Sequence, residues 1–220
     1  MNLADNLFQT AEKHESRRAI VFYDRVINYG QLRECVGLLA MAFAERGLGP
    51  GERLAIALPN VPQFIAGYYA ALATGAQVVP INPQYTRREM DFMLRDSRAR
   101  IIVTHPMFEQ TVREAIADKK VELIYSDNLG DPAKLSFSDL IKAQSQEMLP
   151  IKRNPDDVAV VAYTNAVKGY PMGAQLTHGG LDFDTESCMK MALVDENDVF
   201  LTVLPLYHAF SATVCMHLPL

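Results

Sequence analysis

The sequence predicts an α/β fold: a mostly parallel sheet flanked by helices. Three observations point to it. From about residue 50, short apolar runs alternate with longer runs of three-to-four spacing, the pattern of successive β/α units. Turn and cap residues fall between the two kinds of run. The 220 residues are 49 % apolar and 21 % charged, an ordinary globular composition with enough chain to bury a core without metal or disulfide.

A helix beginning near Tyr29 carries Leu32, Cys35, Val36, Leu39 and Phe43 on one stripe and stops at Gly47, Gly49, Pro50 and Gly51. Arg53 to Leu58 reads as a strand, Val61 to Thr74 as a helix and Gln77 to Ile81 as a strand. Thr86, with Glu89 three residues on, has the form of a capping box and opens a helix to Ser97. Arg100 to Thr104 follows as strand, Met107 to Asp118 as helix and Val121 to Tyr125 as strand. The stretch Ser126 to Pro155 is more polar, with Gly130, Pro132, Pro150 and Pro155 around one helix, Ser138 to Gln146. This places a boundary near residue 150, between a first α/β sub-lobe, 1–150, and the start of a second, 151–220. Val158 to Tyr163 reads as a buried strand, followed by a loop and a helix from about Thr177 to Leu193. A strand, loop and helix in that order can hold phosphate, because loop N–H groups and the helix N-terminus point at the anion.

Charge and composition exclude several function classes. The formal net charge is −5 and the basic residues are scattered, so the footprint of a nucleic-acid binder is missing. Arg95, Arg98 and Arg100 sit beside Asp91 and Asp96 near a helix end and read as a solvated face. Cys35, Cys188 and Cys215 suit neither a disulfide framework nor a zinc site, which favours a reducing cytoplasm, and Cys35 on its apolar stripe reads as a core thiol. No histidine pair has metal-ligand spacing with a carboxylate, so no metal site is expected. Asp5, Glu12, Lys13 and Glu15 break up any secretory signal. The uncharged stretches Val61 to Val79 and Val199 to Leu220 are interrupted by prolines and polar residues, and read as buried elements rather than membrane spans.

The loop Tyr163-Thr-Asn-Ala-Val-Lys-Gly-Tyr-Pro-Met-Gly-Ala-Gln-Leu-Thr-His178 resembles the phosphate-binding signature of the adenylate-forming superfamily, with Tyr163, Thr164, Gly169, Pro171, Gly173, Leu176, Thr177 and His178 in register. Ile27 to Leu32, Gly47 to Ile56, Leu58 to Phe64, Ala73 to Asn82, Asp96-Ser97 and Leu204-Pro-Leu-Tyr-His208 resemble further stretches of that family in the same order. The last of these points to acyl- or aryl-CoA ligases. The resemblance implies a truncated N-terminal domain of the acyl-CoA synthetase-like fold. It implies a two-step reaction of a small carboxylic acid with ATP and then CoA, with magnesium shielding the triphosphate. It places Tyr207 and His208 beside the acyl pocket, and the lid with its catalytic lysine beyond Leu220, so no catalytic residue is named.

Five loop positions depart from the family pattern. Asn165, Ala166, Val167, Lys168 and Met172 stand where the family has serine, glycine, threonine, threonine and lysine. Val167 cannot donate a hydrogen bond, Met172 removes a cation and Ala166 adds a Cβ. The degenerate phosphate loop therefore comprises Thr164, Asn165, Ala166, Val167, Lys168, Gly169, Met172 and Gly173. Neither ATP, magnesium nor CoA is expected to bind this chain tightly, and activity is expected of a longer polypeptide. The other expectation is a remnant that binds a small acid or a protein. Val199 to Leu220 is expected to hold a strand near Val199 to Val203 and a helix, with uncovered apolar surface that favours self-association.

Overall fold

The computed structural model describes residues 1–164 and 171–220. Helix α1 (Ala4–His14) precedes a hairpin of β1 (Arg18–Phe22) and β2 (Arg25–Asn28), then α2 (Tyr29–Glu45). The β/α series follows as β3 (Arg53–Ala57), α3 (Pro62–Ala73), β4 (Gln77–Pro80), α4 (Arg87–Ser97), β5 (Ile101–Thr104), a 3-10 turn (Pro106–Phe108) leading into α5 (Glu109–Ile116), and β6 (Glu122–Tyr125). After α6 (Phe137–Lys142) come β7 (Val158–Tyr163), β8 (Gly173–Thr177), α7 (His178–Ala192), α8 (Ala209–Ala212) and a π-helical turn (Thr213–His217).

One six-stranded sheet has the order β6-β5-β3-β4-β7-β8, parallel except for β8, which runs antiparallel to β7. Side chains alternate across a strand, and β3 divides accordingly: Leu54 and Ile56 join the core under α1, α2, α3 and α6, while Ala55 and Ala57 join the core under α4 and α5. Both faces are covered, which is why β5 is buried at every position and reads as a continuous apolar run. Residues on both sides of position 150 share this sheet, because β7 lies beside β4. Among the described residues no helix is long and apolar enough to cross a membrane.

Local chemistry explains where elements start and stop. The Thr86–Glu89 capping box is formed, with Thr86 N–H donating to Glu89 Oε2 at 2.8 Å. Thr86→Ala is expected to cost about 1 kcal/mol and to lower the melting temperature by roughly 2–4 °C in calorimetry. Gly75, just past α3, has φ +78°, and a Cβ there would lie 2.6 Å from Ile151 Cδ1, so conformation and space both demand glycine.

The structure corrects four expectations. Helix α1 and the β1–β2 hairpin were not anticipated, although Ala4, Leu7, Phe8 and Ala11 bury one stripe of α1. The helix expected over 107–118 splits into the 3-10 turn and α5, and that expected over 138–146 ends at Lys142. The loop after β7 does not lead directly into a helix, because β8 intervenes. Val199 to Val203 forms no strand: Val199, Leu201 and Val203 are exposed, and burial resumes only at Leu206 and from Ser211 onward. The Arg95 cluster is a surface network, as expected, with Arg95 holding Asp91 at 3.0 Å and also pairing with Asp118.

Candidate functional site

The carboxyl ends of the parallel strands share one edge of the sheet, and β7 ends there at Tyr163. The chain returns as β8, antiparallel to β7 with Gly173 opposite Tyr163, so the two described ends of the candidate phosphate loop lie side by side. Thr164 N–H links them by donating to Met172 O at 3.0 Å. Asn165, Ala166, Val167, Lys168 and Gly169 lie outside the described residues. Met172 is exposed, so the position that departs from the family's cation presents a thioether to solvent. Gly173 has a structural reason: a Cβ there would approach Val161 Cγ1 to 2.8 Å.

The β7–β8 pairing changes the strand–loop–helix reading. Helix α7 starts at the far end of β8, where Thr177 pairs with Val158, roughly 16 Å from Met172 for five residues at about 3.3 Å each. The start of α7 is therefore a strand's length from Met172, because β8 stands between the loop and the helix. His178 serves the scaffold instead. It is fully buried, its Nδ1 accepts from Leu3 N–H at 3.1 Å, and its own backbone N–H donates to Asp157 O. Burial, followed by the nearby Arg153 charge, pushes its pKa down to about 4.

The root of the loop is tied to the neighbouring layer. Tyr163 donates its hydroxyl to Asp96 Oδ2 at 2.6 Å, which connects β7 to the end of α4. Desolvation and then the Asp96 carboxylate raise the Tyr163 pKa well above the usual phenol range. Tyr207 is half-buried and His208 exposed, with ring centroids 4.7 Å apart. Tyr207 lies near Tyr85, in the turn after β4, and contributes to that phenol's raised pKa after desolvation and Glu89.

Asn60, just beyond β3, holds this segment in place. Its Nδ2 donates to Leu204 O at 2.9 Å and to Thr202 O at 3.4 Å, and its Oδ1 accepts from Leu206 N–H at 2.8 Å. Sequence reasoning gave Asn60 no role. The available signal was a polar residue between Pro59 and Pro62, directly after a buried strand.

The structure thus brings Tyr85, Tyr207 and His208 to the ends of β3 and β4, with the roots of the loop on β7, the strand beside β4. An imidazole and phenols on such an edge can hydrogen-bond a small anion. Among the described residues no group of three His, Cys, Asp or Glu side chains could hold a metal ion. Met172 offers no charge to a triphosphate.

A family model described as AMP-binding enzyme matches residues 7–220. The chain is 29 % identical over 240 residues to a long-chain-fatty-acid–CoA ligase of Bacillus subtilis, covering 96 % of this chain and 43 % of that protein. It is 27 % identical over 212 residues to 4-coumarate–CoA ligase 1 of Solanum tuberosum, covering 93 % and 38 %. A benzoate CoA ligase from Burkholderia xenovorans superposes with a TM-score of 0.90 at 25 % identity, covering 100 % of this chain and 43 % of that one. The chain therefore spans about two fifths of the length of the relatives it matches.

Proposed function

Because the chain belongs to the AMP-binding enzyme family, we propose that it is the N-terminal part of an ATP-dependent acyl- or aryl-CoA ligase. In that reaction a carboxylate oxygen attacks the α-phosphorus of ATP and expels pyrophosphate. The CoA sulfur then attacks the acyl carbon of the adenylate and expels AMP. The observation that carries the reading is the convergence of Leu204 to His208, clamped by Asn60, with the roots of the loop on one sheet edge. Tyr207 and His208 border the acid, Thr164 to Gly173 are the counterpart of the family's nucleotide loop, and ATP, magnesium and CoA belong to the complete enzyme. Residues 1–150 and 151–220 are two sub-lobes of one domain, joined through β4 and β7. The cytoplasm is the compartment, in keeping with three free cysteines.

As a 220-residue chain the protein is expected to release no pyrophosphate from ATP in response to benzoate, 4-coumarate, hexanoate or palmitate. Acid-dependent release above a no-protein control would overturn that expectation. Millimolar ATP is expected to raise the melting temperature by less than about 1 °C, since a ligand weaker than its own concentration stabilises little. A saturable shift with a micromolar midpoint would show that the altered loop binds nucleotide. Benzoate titrated to tens of millimolar should move the amide resonances of Tyr85, Tyr207 and His208. No saturable change there would remove the acid site from this edge.

We propose further that the chain self-associates through 199–220, a second copy covering the exposed Val199, Leu201, Val203 and Phe210, each 69–86 % exposed. Sedimentation should give a mass that rises with concentration, and Leu201→Lys with Val203→Lys should return it to that of the monomer. A monodisperse native monomer at high concentration would sink this.

A further inference from the structure

A cavity of about 960 Å³ opens on the same edge of the sheet but toward β5 and β6; its wall includes neither Tyr207, His208 nor any described residue of the loop. It opens where the sheet's connections reverse. After β3 the chain crosses into α3 on one face, whereas after the adjacent β5 it enters α5 on the other. Strands that part in this way leave a crevice beyond their carboxyl ends, the usual ligand position in open α/β sheets. Val61 and Gln63 after β3 and His105 after β5 line this cavity, which has the size of a small-molecule site.

Its wall has two characters. Ile27, Leu32, Cys35, Ala66, Phe137 and Ile141 supply an apolar floor from the hairpin, α2, α3 and α6. Burial pushes the Cys35 thiol up to about 11, so this cysteine is wall and not nucleophile. Arg25 and Lys142 also line the cavity; among the described residues neither lies within ion-pair distance of a carboxylate, though the Lys142 charge helps to hold the Asp139 carboxyl below its usual range, after its hydrogen bonds from Ser136. His105 Nδ1 accepts from Met107 N–H at 3.1 Å, which leaves its proton on Nε2 as a further donor. Two of the three carboxylates in the wall are engaged in their own turns. Asp127 accepts from Leu129 N–H at 2.7 Å, and Asp139 from Ser136 N–H at 2.9 Å and Ser136 Oγ–H at 2.6 Å. Asp24, beside Arg25 in the hairpin turn, is the third.

The geometry points to a second ligand site here, for a small amphipathic organic anion: an apolar or aromatic body carrying one carboxylate or sulfonate. The body lies on the floor and the acid group faces Arg25, Lys142 and His105. A cation of the same shape would meet the Arg25 guanidinium, which is in no ion pair among the described residues, and bind more weakly.

The test is an amide-shift titration of the isotopically labelled chain with naphthalene-2-sulfonate, and in parallel with the cationic 2-naphthylmethylammonium. The sulfonate should give saturable shifts at residues 22–27, 105, 126–128 and 136–142, with a dissociation constant of about a millimolar or tighter. The ammonium should bind at least about tenfold more weakly, and so should the sulfonate to the Arg25→Glu, Lys142→Glu variant. Asp24→Asn should tighten sulfonate binding a few-fold. If the reversal variant does not fold, Arg25→Gln with Lys142→Gln takes its place, with at least about threefold weaker binding expected. Absence of saturable shifts in these segments, shifts confined to residues 183–210, equal affinity for the ammonium, or unchanged affinity in a folded charge variant would each overturn the site.

Discussion

Between pH 7 and pH 5 the protein is expected to lose about 3–4 kcal/mol of folding stability through two buried histidines. His178 and His217 are held neutral by desolvation, with pKa values pushed down to about 4 and about 3. In the unfolded chain both titrate near the ordinary value of about 6.5. Below that pH the unfolded state binds protons that the folded state refuses, so stability falls as pH falls. The contribution is fully present above about pH 6.5 and declines until each folded value is reached. With both groups acting, the slope between pH 6 and pH 5 should be about 2 kcal/mol per unit. Carboxylates held low by partners, such as Glu109 beside Arg113, act mainly below this window. Urea unfolding followed by circular dichroism at pH 7, 6 and 5 measures the slope, and a stability independent of pH over this range would refute the buried neutral histidines.

His217→Phe is expected to be among the most damaging single changes, at about 4 kcal/mol. Tyr69 Oη lies 2.9 Å from His217 Nδ1 and Tyr68 Oη lies 3.2 Å from Nε2, with all three side chains buried. A neutral imidazole has one N–H and one bare nitrogen, so one phenol accepts from the ring and the other donates to it. A phenyl ring of similar shape leaves both hydroxyls unsatisfied in the core, each costing about 1–3 kcal/mol. The diagnostic result is rescue. Replacing all three members, His217→Phe with Tyr68→Phe and Tyr69→Phe, removes the stranded polar atoms and should recover most of the loss in urea unfolding. Failure of rescue would mean that ring shape, and not hydrogen bonding, sets the cost. The single variant should also halve the pH slope, since only His178 would remain.

Much of the scaffold was legible because its signals are local. The alternation of apolar runs from Arg53 to Tyr125 predicted β3 to β6 and their helices in order, since burial on both sheet faces leaves a mark in the sequence itself. Thr86 with Glu89 announced a helix start that the structure forms. The candidate site was legible only as a motif frame. The roles of Asn60 and Tyr85 depend on segments more than 100 residues away in sequence, which no window of periodicity can register.

By itself, the sequence determined the α/β class, most element positions, the absence of paired cysteine motifs and the resemblance that leads to the family, because each is written in residue type and spacing over short distances. Only the tertiary structure decided the rest. Gly173 to Thr177 became a strand because β7 offered it a partner, which set the start of α7 a strand's length from Met172. Val199 to Val203 had no such partner among the described residues and formed no strand. His217, unremarkable in sequence, became a neutral core residue because packing placed it between two phenols on α3, where desolvation outweighs its affinity for a proton.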